Sequence, residues 1–278
     1  MSRYRPTELK AYLRSLGAAP TKRLSQNFLI DGNIIRKIVS FADITPGDSV
    51  LEIGPGPGAL TEALLEAGAS VTAVEMDRTF APALASLQTP DNRLTIIQGD
   101  FLKVDLSAAL ANKHWKVVAN LPYHITTPIL AKLLPERKSI STLTVMVQKE
   151  MADRMLGEVG TKDWSSFSVF LRFYSDPAAG FTVQPSCFYP KPTVKSAVIQ
   201  LKLHQPPAVS STEKFFLLVR TAFQQRRKTL AASLKKLYSK EQVESALKKL
   251  DKNPKLRPEE LSLDDFVRLF IEIDHKAQ

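Results

Sequence analysis

Short apolar runs without polar alternation recur along the first two hundred positions, at 49–53, 71–74, 94–97, 115–119 and 143–148, then at 169–174 and 197–203. Runs of this length predict strands buried on both faces. Between them, apolar residues spaced three and four apart predict helices over 59–67, 78–87, 127–134 and 149–156. Gly68 is placed to close the first of these. Strand alternating with helix predicts a mostly parallel sheet covered on both sides. Beyond His204 the pattern changes. Residues 204–212 contain Pro206-Pro207 and Ser210-Ser211 and read as a linker. Helices are predicted over 214–238, 241–250 and 262–273, with no strand pattern among them. The expected organisation is an α/β domain over 1–204, a linker at 205–212 and a small all-α domain over 213–278.

Charge divides the chain in the same way. The net charge is +10. Residues 1–37 hold eight Lys/Arg against two acids, and residues 214–278 hold fifteen against nine. Residues 38–213 hold fifteen against seventeen. A neutral body with basic ends suits a polyanion gripped by flanking regions, although lysine-rich helices can also be merely solvated. Candidate nucleic-acid contacts are Lys22 and Arg23 near the N-terminus and Arg226, Arg227 and Lys228, continuing to Lys235-Lys236 at roughly helical spacing. The lone Cys187 permits no internal disulfide, which fits a reducing compartment. The first ten residues lack an apolar core, and no apolar run reaches bilayer length, so a cytoplasmic protein with no membrane association is expected.

The chemistry clusters at the ends of the predicted strands. Gly54, Gly56 and Gly58 follow the first strand and precede a helix, where glycine lets backbone approach a ligand. The spacing is not G-x-G-x-x-G, and no Lys-Ser/Thr follows, which excludes a triphosphate loop. Glu75 ends the second strand about 20 residues past Gly54, as expected for a carboxylate that accepts from ribose hydroxyls. Asp100 follows the third strand, where it can accept from an adenine amine or cap the next turn. A nucleoside cofactor without a phosphate site points to S-adenosylmethionine rather than NAD. Asn120-Leu121-Pro122-Tyr123 follows the fourth strand. It offers an amide acceptor, a backbone turned by Pro122, and an aromatic face, a set suited to a planar base with an exocyclic amine. His114, His124, His204 and His275 show no metal-ligand spacing.

Five segments occur in order: Gln26-Asn27-Phe28-Leu29, Glu52-Ile53-Gly54-Pro55-Gly56, Gly99-Asp100, Asn120-Leu121-Pro122-Tyr123, and Phe188-x-Pro190-x-Pro192-x-Val194-x-Ser196. With Gln225-Arg226-Arg227-Lys228-Thr229-Leu230 they resemble the rRNA adenine N6-dimethyltransferase family, from about residue 20 to the C-terminus. The family usually has Gly where Ser25 stands and often Leu where Pro57 stands. The resemblance implies a Rossmann-like class I methyltransferase domain with a seven-stranded, mostly parallel sheet and a reversed last strand. It implies cofactor contacts from Asn27, Leu29, Gly54, Gly56, Glu75, Asp100 and Asn120. For an adenine substrate, Asn120 and the Leu121 or Pro122 carbonyl are expected to accept from the two N–H groups of the exocyclic amine, with Tyr123 and Phe188 sandwiching the base, although core packing is the other reading of Phe188. The implied product is two adjacent N6,N6-dimethyladenosines near the 3′ end of small-subunit (16S) rRNA, made by a monomer acting on an assembling 30S particle.

Three rivals share parts of this pattern. A 23S rRNA adenine methyltransferase of the antibiotic-resistance type usually has Ile where Leu121 stands, and the Gln225–Leu230 segment argues against it. Intact Glu75, Asp100 and Asn120 argue against a non-catalytic assembly factor. A DNA adenine methyltransferase usually carries Pro-Pro rather than Leu-Pro after the Asn or Asp.

Overall fold

A computed structural model describes residues 3, 5–17, 26–91, 93–110, 114–225 and 227–274. In chain order the elements are α1 (Pro6–Ser15), β1 (Phe28–Leu29), α2 (Gly32–Phe41), β2 (Ser49–Ile53), α3 (Ala59–Glu66), β3 (Ser70–Glu75), α4 (Phe80–Ala83), β4 (Leu94–Gln98), α5 (Leu106–Ala109), β5 (Trp115–Asn120), α6 (Thr126–Leu133) and β6 (Ile140–Gln148). These are followed by α7 (Lys149–Met155), α8 (Ser166–Tyr174), β7 (Ser175–Val183), β8 (Phe188–Tyr189), β9 (Ser196–Leu203), α9 (Thr212–Phe223), α10 (Leu230–Ser233), α11 (Lys240–Lys249) and α12 (Leu263–Asp274).

Seven strands form one sheet in the order β4-β3-β2-β5-β6-β9-β7, and β1 pairs with β8 in a separate two-stranded ladder. The pairs β2–β3, β3–β4, β2–β5 and β5–β6 are parallel, while β9 runs antiparallel to β6. This is the Rossmann-like arrangement with a reversed last strand. The chain steps outward from β2 to β3 and β4, then returns to place β5 on the other side of β2. That reversal opens a crevice at the carboxyl ends of β2 and β5, where ligands bind in open α/β sheets. Central strands are apolar throughout because helices cover both faces; Val50, Leu51, Val117, Val118, Leu143 and Val145 have no exposed surface.

The chain divides into two compact units, one of residues 1–152 with 177–204, the other of 153–176 with 205–278. The expectation of one contiguous domain over 1–204 did not anticipate the excursion at 153–176. Its apolar run at 169–174 is helix, not strand. Ser165 caps α8 in a reciprocal pair with Ser168, and Phe173 stacks on Phe215 with ring centroids 5.1 Å apart. A capping box and packing against α9 override the strand preference of a β-branched and aromatic sequence. The seventh strand is instead β7, whose Pro177 and Gly180 hide it in the sequence. It lies at the sheet edge, where a missing N–H is tolerated. At Gly180 a Cβ would stand 2.7 Å from the Val198 carbonyl.

The helix expected over 214–238 breaks after Phe223. Lys228 N–H turns back to the Gln225 carbonyl, Leu230 N–H bonds the distant Leu256 carbonyl, and the Thr229 hydroxyl caps α10. Arg227 and Lys228 therefore lie in a turn rather than on one helical face. The helix expected over 78–87 is likewise split into α4 and a 3-10 turn at Leu84–Leu87. Among the described residues no helix is long and apolar enough to cross a membrane.

Candidate active site

The crevice at the strand ends is a cleft of about 1080 Å³. Asn27, Leu29, Gly54, Gly56, Glu75, Asp100 and Asn120 all line it, so the structure brings the whole expected cofactor set together. The loop after β2 depends on its glycines. Gly56 has φ +55° and Gly58 has φ +90°, a region that L side chains rarely adopt. A Cβ on Gly56 would meet the Phe28 ring at 3.1 Å, and one on Gly58 would meet Leu84 at 2.7 Å.

This turn aims the Gly56 N–H at Glu75 Oε2, at 2.8 Å, while Glu75 Oε1 accepts from Asp77 N–H at 2.7 Å. Burial raises the Glu75 pKa, opposed by those two backbone donors. Glu52, at the end of β2, is 1 % exposed and accepts from the Thr61 hydroxyl at 2.6 Å. Burial, only partly offset by that bond and reinforced by the charge of Glu75, pushes Glu52 up to about 8. Asp100 does cap the next turn, through Leu102 N–H to Oδ1 at 3.0 Å. Lys132 from α6 braces that turn by donating to the Phe101, Leu102 and Val104 carbonyls.

Asn120 is the last residue of β5. Its Nδ2 donates to the Asn27 carbonyl at 3.2 Å, which fixes the amide and leaves Oδ1 buried with no hydrogen-bond partner. An orphaned buried acceptor is costly and calls for an explanation. The next residues turn as Pro122 requires. Leu121 N–H bonds the Met146 carbonyl of β6, and the Pro122 carbonyl accepts from Ile125 N–H and the Thr126 hydroxyl. The Pro122 carbonyl is thus already engaged, which leaves the Leu121 carbonyl as the better second acceptor.

Tyr123 lines this cleft and a second one of about 1060 Å³ bordered by Gln148 and residues 190–194. Its hydroxyl pairs with Ser196 Oγ at 2.7 Å, and burial raises its pKa. Ser196, the last residue of the Phe188–Ser196 pattern, therefore orients the ring, a role that sequence reasoning did not assign.

Phe188 departs from the expected sandwich. It is 3 % exposed, lies in the hydrophobic core and lines neither cleft. Its pairing with Leu29 in the β1–β8 ladder turns the ring inward. Among the described residues that line both clefts, Tyr123 and His124 carry aromatic rings, and Tyr123 offers the larger face. Met76, directly after Glu75, was also overlooked. It is 53 % exposed on the cleft wall, and an exposed large apolar residue at a strand end was the available signal.

Lys22, Arg23 and Arg226 lie outside the described residues. Arg227 and Lys228 are exposed in the turn before α10. Arg227 and Lys228 belong to the second unit, and the cleft to the first.

The cleft can be tested against its expected ligand by charge. Among the described residues its lining holds three acids, Glu52, Glu75 and Asp100, and no Lys or Arg. Glu52 is mostly protonated near neutrality, so Glu75 and Asp100 carry the test: their charge disfavours a pyrophosphate and suits a nucleoside carrying positive charge, as S-adenosylmethionine does. Together with an amide acceptor and an aromatic face at its mouth, this defines the cleft of an S-adenosylmethionine-dependent methyltransferase.

The chain belongs to the ribosomal RNA adenine dimethylase family, whose profile matches residues 19–275. It is 52 % identical over 275 residues to ribosomal RNA small subunit methyltransferase A of Protochlamydia amoebophila, covering 97 % of each chain. It is 48 % identical to the protein of that name in Chlamydia muridarum, covering 97 % of this chain and 98 % of the relative. Among solved structures it resembles a dimethyladenosine transferase from Plasmodium falciparum, with a TM-score of 0.78 and 27 % identity over 90 % of this chain and 98 % of that one. The 23S rRNA methyltransferase ErmE superposes with a TM-score of 0.70 and 28 % identity over 89 % and 100 %. The protein is an S-adenosylmethionine-dependent rRNA adenine dimethyltransferase.

Proposed function

We propose that the enzyme dimethylates N6 of two adjacent adenosines near the 3′ end of 16S rRNA, as a cytoplasmic monomer acting on a late 30S assembly intermediate. The observation that carries the chemistry is the buried, unpartnered Oδ1 of Asn120 at the cleft mouth. It accepts one N6–H of an extruded adenine, and the Leu121 carbonyl accepts the other. Two fixed acceptors hold the amine so that its lone pair, otherwise delocalised into the ring, is directed along one line. Tyr123, held by Ser196, supports the base by stacking.

When bound, S-adenosylmethionine supplies an electrophilic methyl group on a cationic sulfur. Asn27, Leu29, Gly54, Gly56, Glu75 and Asp100 would hold it, with Glu75 able to accept from ribose hydroxyls and Asp100 from an adenine amine. The alkylated nitrogen is acidic enough to give its proton to water, so the chain needs no strong base, and His124 is not assigned that role. Phosphate contacts from Arg227 and Lys228, and from Lys22, Arg23 and Arg226, would give salt-dependent affinity.

The likeness to relatives named for the small subunit, over nearly the full chain, favours the 16S reading over a 23S one. The test is to incubate the protein with labelled S-adenosylmethionine and either immature small subunits or protein-free 23S rRNA, and to map modified nucleotides. Dimethylation of two neighbouring adenosines in the small subunit is expected. Label confined to 23S rRNA would overturn the assignment.

A further inference from the structure

We infer that Arg3 and the helix α1 (Pro6–Ser15) form a strap that braces the cofactor cleft from behind its glycine loop, and that Arg3 is a positioning residue that holds this loop in its binding conformation. Arg3 is 6 % exposed, the one Lys or Arg among the described residues buried to that degree. Its Nη1 donates to the Pro57 carbonyl at 2.7 Å, between Gly56 and Gly58. Its Nη2 donates to the Ala83 carbonyl at 3.2 Å and to the Ser86 hydroxyl. The Arg3 N–H donates to Glu62 Oε2 at 2.8 Å, at the start of α3.

One guanidinium therefore ties together the loop after β2 and the segment after β3. These are the two connections that flank Glu75. A planar guanidinium presents two separate nitrogens to two backbone segments at once, whereas an ammonium must serve both from a single nitrogen.

The rest of the strap reinforces the same loop. The Tyr12 ring lies under the guanidinium, 4.6 Å from its carbon to the ring centroid, and its hydroxyl donates to the Ala83 carbonyl at 3.1 Å. Leu9 and Leu13 pack with Phe28 and Phe80, whose rings meet edge to face at 5.3 Å. Phe28 lines the cleft and stands against Gly56. The loop is thus braced at Gly56 through Phe28 and at Pro57 through Arg3.

Among the described residues the Arg3 guanidinium is hydrogen-bonded only to uncharged oxygens, and Glu62 is near enough to favour its charge. A buried guanidinium held mainly by carbonyls is an expensive way to anchor a terminus. Holding a loop whose amide must face Glu75 accounts for that cost.

The inference concerns cofactor binding alone, so its test needs no RNA and stands apart from the choice of rRNA target. S-adenosylmethionine binding to the full chain is measured by calorimetry for wild type, Arg3→Met and Arg3→Lys, with melting of each ligand-free protein and amide exchange across residues 54–60. Arg3→Met is expected to weaken binding about tenfold and to speed exchange of the loop amides, with a nearly unchanged ligand-free melting midpoint. Arg3→Lys, which must serve both segments from one nitrogen, should recover part of the loss. Unchanged affinity in Arg3→Met would overturn the inference. So would a loss matched by lower melting with the loop exchange unaltered, since that would mark Arg3 as a mere anchor for the terminus.

Discussion

The orphaned oxygen of Asn120 allows stability and catalysis to be separated in one substitution. In Asn120→Ala the ligand-free protein loses the 3.2 Å bond from Nδ2 to the Asn27 carbonyl, worth about 0.5–1.5 kcal/mol. It also loses a buried acceptor without a partner, whose desolvation costs about 1–3 kcal/mol. The two changes oppose each other. At the centre of these ranges the net effect is a gain of about 1 kcal/mol, or a rise of roughly 2–4 °C, and even at their edges it stays within about 2.5 kcal/mol. In the reaction the same oxygen is an acceptor already in place and already dehydrated. Removing a preorganised group of that kind costs about 10²–10³ in turnover, roughly 3–4 kcal/mol. Asn120→Asp keeps an acceptor but sets an oxygen against the Asn27 carbonyl, so its rate should fall between the two. The assay is single-turnover methyl transfer to immature small subunits at saturating S-adenosylmethionine, paired with melting of the ligand-free protein. An Asn120→Ala rate within about threefold of wild type would refute the role, as would a rate loss fully explained by unfolding.

Glu52 makes stability depend on pH. Its pKa is about 8 when folded, above the ordinary 4.5, so its contribution is present below about pH 4.5 and is lost as pH rises toward 8. At about 1.4 kcal/mol per unit the full span is on the order of 5 kcal/mol. Ligand-free melting from pH 5 to 9 should fall less steeply in Glu52→Gln than in wild type, and equal slopes would remove Glu52 as the cause. Gly58→Ala must place a Cβ 2.7 Å from Leu84 at φ +90°, so it should lower both melting temperature and S-adenosylmethionine affinity, with binding calorimetry as the check. Charge reversal at the exposed pair Arg227 and Lys228 should weaken binding to small-subunit rRNA and flatten its dependence on salt, with methylation rate at saturating substrate little changed. An unaltered salt slope would take these two residues out of the RNA contact.

Local chemistry was legible in the sequence wherever one segment carries its own instructions. Buried strands read as apolar runs, glycines marked the turn after β2, acids stood at strand ends, and Asn120-Leu121-Pro122-Tyr123 specified an acceptor, a bend and a ring within four residues. Each of these depends on backbone preference or on neighbours a few positions away, and the family resemblance rests on the same short segments. Contacts between distant residues were decided only by folding. Phe188 was expected to face a base and lies in the core, because its side is set by pairing with Leu29. Residues 169–174 became helix because packing on α9 outweighs strand preference. Ser196 reaches Tyr123 across 73 positions, and Arg3 reaches Pro57 across 54. The depth at which Glu52 is buried, and hence its proton affinity, likewise exists only once β2, β3 and α3 close around it. A chain can encode what each segment prefers, but which partner satisfies a donor, a charge or a ring is settled by the packing that excludes water from it.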